Sequence, residues 1–486
     1  MNIHWIDIFI IALFFVATLV AGMLYGKKVS SVKEYLVGSK QFSVSALLMT
    51  ICVTWFAGEN LLGATTEIYL YGCNYFIPCL LAAPISFWIL WNVAPKIAKY
   101  TRSCTIGDVM GAMFGKPGKV ITGILGLVLS IGYISVQIKC MGYVAGYFFD
   151  SKMLGIVIGG GLVVFYTAIG GIKSVVFTDI IQFLVLIVAM PIVYMVTINS
   201  IGGCSGLMER LPENYFIIPS KEIIADLAIF AVLAVPFIDP AISQRMLMSA
   251  PGADIKRPYK ILSIVMPLLY FFVAMIGIVI FVRFPNIDPD LAYPHMIDCG
   301  LPFIVKGLAI ASIFAVLMST ADSYMNVAAS SLVYDAMCAL TDSQFYQKHS
   351  LLLLKIFTFV IGGGALLVAL LDLRIVELII DFCGFWGSVV VIPLYAALFG
   401  FITTPLSFIV SSIVGILASI YLKVFAGDMS FWASIPISMA ANGIAFFVMH
   451  FVQKYYSTYS FLQQVQERRD AMDDAQNIKS RRRFPV

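Results

Sequence analysis

Five ionisable side chains stand inside or beside long apolar stretches of the sequence, where a charge needs a specific partner. They are Glu59, Lys139, Asp239, Asp322 and Asp381. An unpaired charge in a membrane costs at least about 2–3 kcal/mol, so each should face a cavity or a partner. Four acids against one lysine predict an electronegative cavity that attracts a nitrogen cation. Trp55 and Trp386 could add aromatic faces to it, although aromatic side chains in such stretches more often serve packing.

The composition indicates that the surrounding elements are membrane-spanning helices. Apolar residues make up 60% of the 486 residues, charged residues 12%, and the mean hydropathy is +0.95. Globular proteins carry about 25% charged residues, and a soluble chain of this length could not bury so much apolar surface. The sequence has no basic domain for nucleic acid. It also has no metal-ligand cluster and no nucleophile–base set, so an enzyme is not predicted.

Thirteen apolar segments are long enough to cross a bilayer, and we number them as spans 1 to 13. They lie near 6–25, 43–70, 76–95, 120–149, 153–170, 175–198, 223–247, 261–282, 303–337, 351–371, 376–399, 402–422 and 431–452. We expect one transmembrane domain over residues 1–452 and a tail over 453–486. The core of that domain should cover about 42–400, with peripheral spans at 6–25, 402–422 and 431–452.

The basic residues orient these spans in the membrane. Alternate connections, including 96–119 and the tail, hold 23 of the 31 Lys and Arg residues. Basic connections face the cytoplasm, so the N-terminus should lie outside and the C-terminal tail inside. The connections at 199–222 and 283–302 are then extracellular. We expect a multi-pass protein of the cell (inner) membrane.

Span 2 carries a glycine-rich interruption near the middle of the membrane. Gly58 and Gly63 flank Glu59 and Asn60 within the sequence TWFAGENLLGATTE. Backbone that leaves a helix at this depth is tolerated only where protein buries it or where it lines a cavity. Single glycines are also common in continuous spans, so this motif alone leaves an unbroken helix open.

Span 7 carries a second interruption, in which Pro236 and Pro240 flank Asp239. Each proline removes a backbone donor and disfavours the helical conformation of the preceding residue, although a continuous, kinked helix is the alternative. Spans 2 and 7 run in opposite directions and lie five helices apart, as in a five-plus-five inverted repeat. Transporters of that design bind solute and ion at interrupted helices. We therefore predict an all-α integral membrane protein that works by alternating access.

Three further stretches resemble the sodium/solute symporter family, which includes proline, pantothenate and galactose symporters. YTAIGGIKSVVFTDIIQ (166–182) is similar to the family signature, and SQRMLMSAPGADIKR (243–257) to the stretch that follows the interrupted seventh span. MSTADSYMNVAASSLVYD (318–335) resembles the ninth span of the family. The resemblance covers nearly the whole chain, and it implies a LeuT-type fold.

The resemblance also implies Na+ as the coupling ion, bound between span 2 and span 9. By position, Ser319 and Thr320 would contribute hydroxyl oxygens, and Val53, Phe56 and Val316 would contribute backbone carbonyls. Neutral oxygen ligands suit a small, hard cation that must be released again. Without the resemblance, an adjacent Ser-Thr pair in a span would be interpreted as helix packing.

Three acidic and polar residues nearer the cytoplasm complete the predicted ion path. Asp179 and Gln182 share one helical face, and the resemblance makes them stations on the sodium exit path. An acid at this place could also be a hydrated charge at a helix N-terminus. Asp322 lies three residues from Ser319 and could serve the ion site or a cavity that faces the cytoplasm.

The resemblance does not fix the solute. Sugar-carrying relatives have neutral polar groups where Asp239 stands, and the proline-type pattern has an acid in place of Trp55, so neither substrate follows by analogy. The predicted substrate residues are Trp55, Glu59, Asn60, Lys139, Asp239 and Trp386. We predict sodium-coupled symport of a small, amine-bearing solute, and the oligomeric state stays open. Proton coupling through Glu59 or Asp239 is the nearest alternative, and a channel or a membrane-embedded sensor is more distant.

Overall fold

The chain is almost entirely α-helical in the residues that its computed structural model describes. These are residues 3–26, 29–213, 215, 223–250, 252–341, 344–370, 382–425, 431–456 and 458–476. Within them no β-strand forms, and the only extended pairing is a single bridge between Phe42 and Ser249. Asp381, Arg374 and the basic end of the tail lie outside the described residues.

The helices reproduce the predicted order of spans. They are Trp5–Gly26 (span 1), Val44–Trp55 with Glu59–Tyr71 (span 2), Cys73–Ala98 (span 3), Ile106–Phe149 (span 4), Lys152–Asn199 (spans 5 and 6), Ile223–Ala234 with Pro240–Leu247 (span 7), Lys256–Arg283 (span 8), Val305–Leu340 (span 9), Gln344–Ala369 (span 10), Phe382–Leu398 (span 11), Pro405–Phe425 (span 12) and Phe431–Tyr456 (span 13). Shorter helices lie in the connections at Val32–Val37, Gly203–Arg210 and Ala292–Gly300, and the tail forms the helix Thr458–Gln476.

Spans 5 and 6 form one helical run that turns sharply at a glycine. The run Lys152–Asn199 has 48 residues, far more than one crossing of the bilayer needs at about 1.5 Å per residue. Gly171 bends it with φ of +54°, a conformation that side chains disfavour. A Cβ atom at Gly171 would lie 2.6 Å from the Tyr35 ring, so the short helix Val32–Val37 packs directly under the turn.

Span 9 lies at the centre of the bundle. The apolar stretch of span 9 is 89% buried inside the protein, whereas the corresponding stretches of spans 1 and 12 are only 22% buried. Span 9 packs against spans 1, 4 and 6, and it contacts the helix Val44–Trp55, the first half of span 2. Its small residues, such as Ala315, Ser319 and Ala321, let these helices approach closely. Span 9 therefore positions the polar groups that meet the interruption in span 2.

The orientation predicted from the basic residues can be tested with native cysteines. Cys204 and Cys299 are exposed on connections predicted to be extracellular, whereas the exposed Lys116 lies on a connection predicted to be cytoplasmic. A membrane-impermeant maleimide added to intact cells should label the native protein through Cys204 and Cys299. It should label Lys116→Cys, in a background with both native residues changed to Ser, only after permeabilisation. Equal labelling of Lys116→Cys in intact cells would reverse the orientation.

Candidate functional site

Span 2 leaves the α-helix at Phe56, whose backbone angles of φ −84° and ψ 75° are not helical. The helix Val44–Trp55 ends there, and the second segment, Glu59–Tyr71, continues at 57° to it. That segment begins with a wide π-helical turn over Glu59–Gly63. The predicted interruption is therefore present. The backbone leaves the α-helix at Phe56, within the stretch TWFAGENLLGATTE, and the wide turn that follows includes Glu59 and Asn60.

Side chains satisfy the backbone that this interruption exposes. Gln137 of span 4 accepts a hydrogen bond from the Gly58 N–H at 3.2 Å, and its amide nitrogen donates to Glu59 Oε2 at 3.1 Å. Asn60 Nδ2 donates to the Trp55 carbonyl at 2.9 Å. A Cβ atom on Gly58 would lie 2.5 Å from Gln137 Oε1, so this close approach requires glycine.

Span 7 is interrupted between Ala234 and Pro240, as predicted, and is not a continuous kinked helix. Asp239 caps the second segment, Pro240–Leu247, because its Oδ1 accepts hydrogen bonds from the Ala241 and Ile242 N–H groups at 2.7 and 2.9 Å. Pro240 occupies the first helical position, where a missing N–H leaves no bond unmade. The Asp239 carboxylate therefore fixes the start of the helix.

Span 11 binds the carbonyl groups that this second interruption exposes. The Trp386 indole N–H donates to the Phe237 carbonyl at 3.0 Å, and the Tyr395 hydroxyl donates to the Pro236 carbonyl at 2.9 Å. Trp386 is only 1% exposed. The structure thus shows Trp386 bound to the interrupted backbone of span 7. Trp386 was predicted to offer an aromatic face to a solute, but it is not among the residues that line the cavity described below.

A cavity of about 230 Å³ lies between the two interruptions. Four of the predicted substrate residues line it, namely Trp55, Glu59, Asn60 and Asp239. Polar and aromatic lining residues that the sequence did not indicate are Thr54, Tyr75, Ser86, Tyr133, Tyr270 and Tyr324. Among the described residues of the lining, two are acidic and none is basic. The cavity is therefore small, electronegative and rich in aromatic rings.

Aromatic side chains are held rigidly on the cavity wall. Tyr133 and Tyr324 stack with their ring centroids 4.1 Å apart and their planes 2° from parallel. Trp55 packs edge-on against Phe87 at 5.0 Å. The Tyr270 hydroxyl donates a hydrogen bond to Asn60 Oδ1 at 2.9 Å and so fixes that amide. These contacts fix the positions of the aromatic side chains that line the cavity.

Lys139 does not join the other predicted substrate residues. Its ammonium group lies 5.9 Å above the Tyr143 ring, and the residue is outside the cavity lining. The Asp239 carboxylate accepts hydrogen bonds from the backbone of the next helix. The cationic side chain predicted for the cavity therefore lies outside its lining.

Buried oxygen atoms converge where span 9 passes the interruption in span 2. Ser319 Oγ lies 3.0 Å from both the Val53 and the Val316 carbonyl oxygens. Thr320 Oγ1 lies 3.2 Å from the same Val316 oxygen. The interruption frees the Val53 carbonyl, because the Ala57 N–H that would bind it in a continuous helix donates elsewhere. All four oxygen-bearing residues are fully buried.

A second polar cluster lies beyond these oxygens, toward the short helix Val32–Val37. Asp179 of span 6 and Arg245 of span 7 form an ion pair at 3.6 Å, and neither side chain is exposed. The Thr50 hydroxyl donates to Asp179, and Arg245 donates to the Ser323 hydroxyl. Because Asp179 is completely buried, it is not a hydrated charge at a helix N-terminus.

Asp322 belongs to the same buried cluster. Its Oδ2 accepts hydrogen bonds from the Tyr166 hydroxyl at 2.7 Å and from Thr178 Oγ1 at 3.2 Å. Asp322 has no exposed surface, so it does not line a cavity open to the cytoplasm. Gln182 is also fully buried, and its amide has no hydrogen-bond partner among the described residues. The three residues predicted for the ion path thus lie deep in the bundle.

Arg245 and Gln137 are two further residues of the site that were not predicted from the sequence. The sequence did carry a signal for Arg245, because it is a cation within an apolar segment directly after the span 7 interruption. Such a cation needs an acidic partner, which the structure provides in Asp179 of span 6. Gln137 is a neutral residue in span 4, and nothing local distinguishes it from other polar residues that pack between helices. Only the folded chain shows that it meets Gly58.

Comparison with known proteins places the chain in a family. Residues 35–415 match the family model described as the sodium:solute symporter family. The chain belongs to the sodium:solute symporter family. It is therefore a multi-pass membrane transporter that couples solute transport to sodium, and Na+ is its coupling ion. Membership in this family argues against the two more distant alternatives, a channel and a membrane-embedded sensor.

Relatives within the family are distant in sequence but similar in length. The chain is 23% identical over 396 residues to the sodium/proline symporter of Staphylococcus aureus strain bovine RF122 / ET3-1, with 77% of this chain and 76% of that protein covered. It is 25% identical over 380 residues to the high-affinity proline transporter PutP of Bacillus subtilis strain 168, with 72% and 78% covered. Both comparisons cover most of the bundle.

The fold is similar to that of a solved symporter. A Na+-coupled sialic acid symporter in a substrate-bound, outward-open state superposes with a TM-score of 0.83 at 18% sequence identity. The match covers 93% of this chain and 98% of that one. The predicted all-helical architecture with interrupted spans 2 and 7 is confirmed.

The indole of Trp386 provides a test of how the interruption in span 7 is held. Trp386→Phe keeps an aromatic ring but leaves the Phe237 carbonyl without its donor, which should destabilise the protein by about 1–3 kcal/mol. Thermal unfolding of the purified protein in detergent measures the loss. Trp88→Phe is the matched control, since Trp88 is 59% exposed on span 3, and it should leave the unfolding temperature unchanged. Equal unfolding temperatures for both variants would contradict the assignment.

Proposed function

We propose that this symporter carries a small solute with an amino or ammonium group, either cationic or zwitterionic. The observation that supports this most is the cavity lining, which in its described part holds Glu59 and Asp239 and no basic side chain. A charge-assisted hydrogen bond to such a carboxylate is worth roughly 1.5–3 kcal/mol. The faces of Trp55, Tyr133 and Tyr324 add cation–π attraction of roughly 0.5–2 kcal/mol. Proline, which the named bacterial relatives carry, is itself a zwitterion.

The proposed site is open toward the extracellular side. With the orientation expected from the basic connections, Tyr75 at the start of span 3 and Ile435 at the start of span 13 lie at extracellular ends, and both line the cavity. The buried cluster around Arg245 and Asp179 would then lie on the cytoplasmic side and close the path inward. Solute and sodium would enter from outside, and separation of this cluster would open the exit.

For sodium we propose five oxygen ligands, from Val53, Phe56, Val316, Ser319 and Thr320. Four of these residues already bring their oxygens within 3.2 Å of a neighbour in the group, and Phe56 is the residue at which span 2 leaves the helix. Hydroxyl and carbonyl oxygens are the ligands that a hard cation prefers, and five neutral donors suit transient binding. Sodium between the two helices would draw span 9 and the interrupted span 2 together.

Removing one proposed ligand should weaken sodium binding strongly. Ser319→Ala deletes one of about five oxygens, at roughly 1–3 kcal/mol, so the half-saturating sodium concentration of uptake should rise about five- to 150-fold. Apparent solute affinity should fall as well, because coupling between the two sites is reciprocal. Ser312→Ala is the matched control, since Ser312 is a buried serine of the same helix that donates only to the Ala309 carbonyl.

The sodium assignment fails if both Ser319→Ala and Thr320→Ala leave the sodium dependence of uptake unchanged. The same vesicles separate sodium from proton coupling. An inward sodium gradient at equal pH on both sides should drive uptake, and a proton gradient without sodium should not. Uptake driven by protons alone would favour the alternative in which Glu59 or Asp239 carries the proton.

Charge removal at Asp239 tests recognition of the amine. Asp239→Asn keeps the side-chain oxygen that caps the helix, because asparagine is an equally good capping residue. It removes the negative charge, so an amine-bearing solute should bind about ten- to 150-fold more weakly. Binding of amino acids and of the matching carboxylic acids without nitrogen can be compared by thermal shift of the purified protein.

Asp7→Asn is the control for this substitution. Asp7 is also a buried carboxylate, and its Oδ1 accepts two backbone hydrogen bonds, from Ile304 and Gly307 at 2.8 Å, but it lies on span 1 and outside the cavity lining. It should leave solute binding unchanged. Tight binding of an acid that lacks nitrogen, insensitive to Asp239→Asn, would overturn the proposed substrate class while leaving sodium coupling in place.

A further inference from the structure

A second cavity lies on the outer surface of the bundle, between span 3 and the beginning of span 8. It has a volume of about 510 Å³. Its described lining consists of Trp91, Asp254, Lys256, Arg257, Lys260 and Ile261. Three of these residues are cations, and they lie within the first five positions of the helix Lys256–Arg283. This groove is separate from the cavity between spans 2 and 7.

The three cations of the groove, Lys256, Arg257 and Lys260, form no ion pair within the part of the chain that the structure describes. The one acid in the described lining is Asp254, and its Oδ1 accepts a hydrogen bond from the backbone N–H of Lys256 at 3.1 Å. The Lys260 ammonium lies 5.7 Å above the Trp91 ring, which positions it over the groove without neutralising it. The groove therefore carries a net positive charge.

An apolar face continues from these cations along span 8. Ile261, Ile264 and Leu268 lie on one side of the helix by their spacing, and their side chains are 39%, 73% and 48% exposed. Trp88 lies on span 3, which packs against span 8, and is 59% exposed. A polar, cationic end followed by an apolar strip matches the order of headgroup and acyl chain in a lipid. Tryptophan at the level of the headgroups is typical of a membrane interface.

We propose that this groove binds one anionic phospholipid of the cytoplasmic leaflet. The phosphate of the headgroup lies against Lys256, Arg257 and Lys260, and an acyl chain runs along Ile261 and Ile264. Basic pockets between spans on the cytoplasmic side are suited to such headgroups, because the phosphate supplies the missing negative charge. The cytoplasmic placement rests on the proposed orientation of the spans, but the binding itself does not depend on the identity of the solute.

Lipid binding can be measured on the full-length protein by native mass spectrometry, with phosphatidylglycerol and phosphatidylcholine of equal chain length as probes. The triple substitution Lys256→Gln, Arg257→Gln and Lys260→Gln should weaken the tightest phosphatidylglycerol site about 100-fold, since each cation near the surface contributes roughly fivefold. Lys260→Gln alone should weaken it about fivefold. The side chains are exposed, so these variants should fold as the native chain does.

A matched control separates the groove from general surface charge. Lys99→Gln, Lys116→Gln and Lys348→Gln together remove the same charge from exposed positions on connections of the same predicted side, and they should leave the tight site intact. An equal loss in both triple variants would overturn the proposal, as would equal affinity for phosphatidylcholine. Inorganic phosphate is the third probe, and it should not displace the lipid. Displacement at millimolar concentration would assign the site to a soluble anion instead.

These outcomes are distinguishable from a failure of the proposed transport function. The lipid measurement uses no solute and no ion gradient, so it stands even if the amine hypothesis is wrong. If the orientation is reversed, the maleimide labelling shows this directly, and the groove would then face the other leaflet. Retention of phosphatidylglycerol by the native protein and its loss in the groove variant would support the site itself.

Discussion

A bilayer offers no water to the peptide backbone, so each N–H and C=O group that leaves a helix inside it needs a partner. This protein breaks two helices at such a depth, and most of what is distinctive in the structure answers that requirement. Gln137 and Asn60 satisfy the interruption in span 2. Asp239 and Trp386 satisfy the interruption in span 7. The partners come from spans 4 and 11 as well as from the breaks themselves, so the interruptions tie distant parts of the bundle together.

The same requirement places the ligand-binding groups. Span 2 must end at Phe56 for the Val53 carbonyl to become free, and span 9 then brings Ser319 to that carbonyl. Thr54 and Glu59, on either side of the same interruption, line the small cavity together with Asp239 of span 7. The oxygens proposed for sodium and part of the wall proposed for the solute thus belong to one break. This geometry gives a physical reason for coupling, because a cation that orders the break also orders the cavity wall.

The fold could be predicted from the sequence almost completely. Span length and the prolines around Asp239 are local signals, and together with the family resemblance they predict the helices, their order and the two interruptions. The candidate site could be predicted only in part. Lys139 and Trp386 were assigned to the cavity from residue type, but residue type does not reveal which way a side chain points within a bundle. Arg245 was overlooked because its role depends on a partner, Asp179, that is remote in sequence.

The central claim is that sodium binds between the interrupted span 2 and span 9 and orders both. Hydrogen–deuterium exchange of the purified protein, in sodium or potassium chloride at equal ionic strength, tests it most directly. Sodium should slow exchange in residues 52–60 and 316–320 together, and it should leave the peripheral span 12 unchanged. Protection confined to other spans, or equal exchange in the two salts, would contradict the account.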